Sequence, residues 1–146
     1  MPIRLAARVA AAAIVAVLAL LAVPAPAQAA NPYSPQGVCG SGYSVIDSAP
    51  ISTSKLWATV YLLYNSGNGN NCVVTIKQAD IGTATYTEAK LQIEGSSTVY
   101  RDGGSYSYYA GPVRRYAAGK CVRWGGVASD RAGQSFSIWS GWEHCG

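Results

Sequence analysis

"LWATVYLLYNSGNGNNCVVTIK", residues 56–77, is the stretch that decides the fold. Its first ten residues are rich in β-branched and aromatic side chains, which fit a pleated, half-buried surface. The cluster "SGNGNN" that follows is a turn of the kind that joins hairpin strands, and "CVVTIK" returns as the second arm. Strand side chains alternate between faces, so Cys72, Val74 and Ile76 share one side of that arm and Val73, Thr75 and Lys77 the other.

Working outward, "AKLQIE" (89–94) alternates cleanly, with Ala89, Leu91 and Ile93 on a core face and Lys90, Gln92 and Glu94 facing water. Gly95 with two serines marks a turn, and Asp102, Gly103 and Gly104 are expected to form the next. Upstream, Pro50 in "YSVIDSAPI" indicates an edge or a strand end, because proline donates no ladder hydrogen bond. "NPYSPQGVCGSG" (31–42), with two prolines and three glycines, is expected to enter as an irregular arm, and no segment of the mature chain reads as helix. Many short strands at regular spacing give an all-β class, a small antiparallel β-sandwich or barrel.

The N-terminus has a different character. Arg4 and Arg8 precede an apolar run from Val9 to Val23, and "PAPAQAA" closes it with small residues. This is the pattern of a secretory signal peptide, and the run is too short for a spanning helix. The expected organisation is a signal peptide over 1–29 and a single secreted β-domain over 30–146, with no membrane association after removal. Loss of Arg4 and Arg8 lowers the formal charge from +4 to +2. That is a weak electrostatic footprint, and nucleic acid is not an expected partner.

All four cysteines, Cys39, Cys72, Cys121 and Cys145, fall in the mature part, an even number suited to an oxidising compartment. Three pairings are open on sequence alone. We favour Cys39 with Cys72 and Cys121 with Cys145, each closing a moderate loop. Thiolate metal ligation is disfavoured, since no two cysteines have C-x-x-C spacing and His144 is the only histidine. No cofactor is expected.

"SYSYYAGPVRRYAAGKCVRWGG" (105–126) combines aromatic rings with four cations and no carboxylate. Read as a strand, "SYSYY" sends Tyr106 and Tyr108 to one face and Ser105, Ser107 and Tyr109 to the other, and "AGP" breaks it. "VRRYA" then pairs Val113 with Arg115 against Arg114 and Tyr116, while Val122 and Trp124 oppose Cys121 and Arg123. Tyr106, Tyr108, Tyr109, Arg114, Arg115 and Arg123 are therefore candidates for a binding surface, since rings stack on sugars and cations attract uronates or phosphates. The competing reading is tyrosine as strand filling with arginines lying along the surface. "FSIWSGWEHCG" pairs with "CVRWGG" as a terminal hairpin, Phe136 and Ile138 inward, with Trp124, Trp139 and Trp142 expected to cluster.

Catalytic patterns are absent. His144 stands beside Cys145 near the chain end, a poor position for the base of a nucleophilic triad, and no serine lies in G-x-S-x-G. The carboxylates are scattered singly, and Asp102 and Asp130 read as turn residues.

"NPYSPQGVCGSGY", "VYLLYN" followed by "NNCVVT", "YYAGPVRRYAAGKCV" with "WGG", and the closing "HCG" together resemble the spore-associated protein A family of actinomycetes. The resemblance covers essentially the whole mature chain. It implies secretion and attachment to a spore or hyphal surface, and it supplies no catalytic residues. The resulting expectation is a non-catalytic surface protein that binds a spore-envelope or cell-wall polymer. The alternatives are a secreted protease inhibitor presenting "SGNGNN", and a hydrolase of unknown type.

Overall fold

The computed structural model describes residues 23–25, 27 and 29–146. The expected signal segment, from Arg4 through most of the apolar run, lies outside the described residues. No helix among them is long and apolar enough to cross a membrane.

In chain order the elements are α1 (Pro35–Cys39), β1 (Ser44–Ser52), β2 (Leu56–Asn65), β3 (Asn70–Lys77), β4 (Thr85–Ile93), β5 (Val99–Tyr106), β6 (Tyr109–Tyr116), β7 (Val122–Ser129) and β8 (Ser135–Trp139). They form two four-stranded sheets, ordered β1-β2-β3-β6 and β5-β4-β7-β8, and every pairing is antiparallel. The molecule is the β-sandwich that the alternation implied. The hairpin of residues 56–77 holds in register from Ala58 opposite Lys77 to Asn65 opposite Asn70. Pro50 lies in β1, an edge strand that pairs only with β2.

Between the sheets, Ile51, Ala58, Val60, Leu62, Val73 and Val113 meet Ala89, Leu91, Val122, Trp124 and Ala128 in one core. A second core lies on the opposite side of the first sheet, where Leu63, Cys72, Val74 and Ile76 pack under Cys39 and Tyr43. Residues 71–77 of β3 are consequently buried on both faces. The cover over that outer face is the N-terminal arm, tied down by the Cys39–Cys72 disulfide; Cys121–Cys145 is the second bridge, and both match the favoured pairing.

Four details differ from the sequence reading. The arm contains a short helix, α1: Ser34 Oγ accepts the Gly37 amide at 3.0 Å, and Pro35 occupies the first turn, where its missing donor is harmless. Asp102, Gly103 and Gly104 do not turn but continue β5. A side chain at Gly103 would strike the Tyr86 hydroxyl, so its absence lets that ring lie across the strand. "SYSYY" is no strand: Tyr106 ends β5, Tyr109 begins β6, and the chain changes sheets between them. Pro112 does not break β6, because β6 is an edge strand and the register shifts between Val73 and Thr75 to accommodate Gly111 and Pro112.

Candidate functional site

The outer face of the second sheet is open, and strand register determines what it carries. Arg101 of β5, Lys90 of β4, Gly125 of β7 and Trp139 of β8 form one cross-strand row. Each alternates with an inward neighbour such as Leu91, Trp124 or Ile138, so all four lie on the side away from the core. Gly125 contributes no side chain, and across it the Lys90 ammonium reaches to 5.0 Å from the Trp139 ring. Arg123, two residues earlier on β7, places its guanidinium 5.1 Å from Trp139 and 5.6 Å from Trp142. Its Nε donates to the Ser140 carbonyl at 3.1 Å, which fixes the group over the two rings. Trp142 remains 45% exposed.

Charge on this face is uneven. Glu88 is engaged by Arg101 at 3.8 Å and by the Tyr86 hydroxyl at 2.7 Å, so that end is locally neutralised. Among the described residues Lys90 and Arg123 have no carboxylate partner in an ion pair. The result is a shallow platform with two cations and two indole rings, held on rigid strands. Such a surface can stack on sugar rings and attract anions, a combination in which π-faces and cations strengthen one another.

The six residues expected to form one binding surface are distributed over separate places. Tyr106, Tyr108 and Tyr109 border a hollow of about 390 Å³ at the sheet crossover, where Tyr33 packs at 5.3 Å from Tyr108 and 4.8 Å from Tyr109. Arg114 is occupied structurally: its Nε and Nη2 donate to the Cys39 and Val38 carbonyls, satisfying the end of α1. Arg115 lies 4.2 Å from the Tyr100 ring at the sandwich edge. Only Arg123 joins the tryptophan platform. Trp124 departs from the expected tryptophan cluster, for it points into the core while Trp139 and Trp142 stay outside. Lys90 was missed as a site residue; its alternation with Ala89 and Leu91 placed it on the outer face, but nothing local showed that Trp139 lies beside it.

Against known proteins, spore-associated protein A of Streptomyces coelicolor is 46% identical over 111 residues, which is 75% of this chain and 66% of that protein. The chain belongs to the spore-associated protein A family. The match spans about two thirds of that relative's length. No family model and no solved structure matches the chain.

In this member of the spore-associated protein A family several other polar groups serve the fold. Lys77 is buried, and its ammonium donates to the Thr83 and Tyr106 carbonyls and to Thr85 Oγ1. Burial holds its pKa below the ordinary 10.5, with Asp80 opposing that effect. The phenol of Tyr106 donates to Asp102 Oδ1 at 2.6 Å and that of Tyr86 to Glu88, and these bonds raise both tyrosine pKa values. Asp102 also accepts the Gly111 amide, so it braces the crossover instead of capping a turn. Asp130 does cap one, accepting the Gln134 amide at 2.8 Å. The "SGNGNN" turn closes on itself through Asn65, which accepts from the Gly67 and Gly69 amides.

Proposed function

We propose that this protein is an exported, non-catalytic component of the spore or hyphal surface that adheres to an anionic envelope polymer. Family membership supports the surface association, through the name its relative carries. The adhesive face is the open side of the second sheet, and the observation that carries it is Arg123 set between Trp139 and Trp142 with Lys90 alongside. Rings stack on the apolar faces of sugars, while the two cations meet uronate or phosphate groups. The platform is preassembled on strands, so little conformational entropy is lost on binding.

Co-sedimentation of the oxidised protein with isolated spore or hyphal envelopes tests this reading. Saturable binding that weakens from low to high salt is expected, because exposed charges are screened. Absence of binding at both salt concentrations overturns it.

A further inference from the structure

A second constellation lies where the C-terminal tail crosses to the first sheet. Asp47 of β1, Glu143 and His144 each present a ligand atom, and these atoms lie within 4.8 Å of one another. His144 Nε2 is 2.8 Å from Asp47 Oδ2. Asp47 follows a register shift in β1: Val45 opposes Leu63 and Asp47 opposes Leu62, leaving Ile46 as the extra residue. Bulges of this kind re-aim the side chains beside them.

The groups are held by structure outside the cluster. Glu143 Oε1 accepts the indole N–H of the buried Trp124 at 2.6 Å, and Asp47 Oδ1 accepts the Ser48 amide at 2.7 Å. The Glu143 backbone exchanges both hydrogen bonds with Val122, and the Cys121–Cys145 bridge anchors the next position. Outer donors that orient carboxylates are the usual support of a metal site.

Charge and space also fit a cation. Two carboxylates converge here, and among the described residues no lysine or arginine pairs with either, the imidazole of His144 being the group that meets Asp47. A cavity of about 290 Å³ borders Asp47 and Glu143, and another of about 310 Å³ borders His144, so water can reach the cluster from both sides.

We propose that Asp47, Glu143 and His144 form a divalent-cation site of the zinc type. An imidazole with two carboxylates suits zinc better than calcium or magnesium, which favour all-oxygen shells. Three protein ligands leave a fourth tetrahedral position for water. The ion would fasten the tail of the second sheet to the edge of the first. This inference is independent of the polymer-binding reading, since no residue of the platform is a ligand.

The test is calorimetric titration of zinc chloride into EDTA-stripped, oxidised protein, with cobalt(II) absorption as a second readout on the wild-type chain. One zinc per chain is expected, with a tetrahedral cobalt spectrum and a thermal midpoint that rises with zinc concentration. Asp47→Asn, Glu143→Gln and His144→Asn should each weaken binding by about tenfold or more, an effect at least as large as loss of an outer-shell partner. The three replacements keep the hydrogen-bond acceptors or, at residue 144 with its φ of 52°, a residue that tolerates that backbone. Absence of stoichiometric zinc binding together with no tetrahedral cobalt spectrum overturns the proposal, as does wild-type affinity in all three variants.

Discussion

The two sheets have opposite outer faces. On the first, Leu63, Val74 and Ile76 are roofed by the arm and α1, and Arg114, brought there by β6, is spent on helix carbonyls. On the second, Lys90, Arg123 and Trp139 are half-buried, the two cations lying against the rings of Trp139 and Trp142, and Trp142 is 45% exposed. Cationic and aromatic residues of similar type are structural on one sheet and available on the other. The lesson is that composition marks a binding surface only after coverage is known.

The comparison is broken most severely by unroofing the first sheet. Replacing both Cys39 and Cys72 by alanine should cost about 4 kcal/mol or more in chemical denaturation, the loop-closure effect being roughly 3–4 kcal/mol. The same change at Cys121 and Cys145 should cost about 3 kcal/mol, because it releases a tail and not a core cover. Equal losses would show that the arm adds nothing beyond its crosslink. Next in size, Leu63→Ala should match Leu91→Ala at about 2–5 kcal/mol, although the two face away from each other across the first sheet and the inter-sheet core. A loss well under 1 kcal/mol for Leu63→Ala would mean that the second core is no core.

On the open face the expected pattern reverses. Trp142→Ala combined with Arg123→Ala should change stability by about 1 kcal/mol or less, as surface substitutions do. Polymer binding should weaken about tenfold, since ring and cation contributions of roughly 0.5–1.5 kcal/mol each together reach that factor.

The smallest effect concerns alkaline pH. Tyr86 and Tyr106 have raised pKa values through their carboxylate bonds, so the folded chain keeps these protons above the ordinary 10.0 while the unfolded chain loses them. Their contribution is complete below 10.0 and lost as pH rises through the folded values. Lys77 works in the opposite sense: its folded pKa is lowered, the unfolded chain binds more protons below 10.5, and stability rises with pH through that window. Urea midpoints measured against pH should therefore fall less steeply above 10.0 in Tyr86→Phe and Tyr106→Phe than in wild type.

Much of the sandwich was legible because its signals are local. The alternation of 89–94, the turn at 66–69 and Pro50 at an edge each depend on neighbours in sequence. The errors arose where distant chain decides. Gly103 and Gly104 resemble a turn until Tyr86 of the adjacent strand is seen to need the space beside Gly103, and the Tyr106 ring the space beside Gly104. The two buried faces of β3 cannot be read from "CVVTIK", because the roof is supplied by a segment tethered through Cys39. His144 has no motif of its own, and Asp47, the carboxylate it meets, lies 97 residues away in sequence.

The central claim is that adhesion belongs to the open sheet and not to the roofed one. It is tested most directly by comparing envelope co-sedimentation of wild type, Arg123→Ala/Trp142→Ala, and Arg115→Ala/Tyr116→Ala, whose exposed side chains lie on the edge strand of the first sheet. The expected result is that the first double variant binds envelopes about tenfold more weakly while the second keeps wild-type affinity. Wild-type affinity in the first, or an equal loss in both, would contradict it.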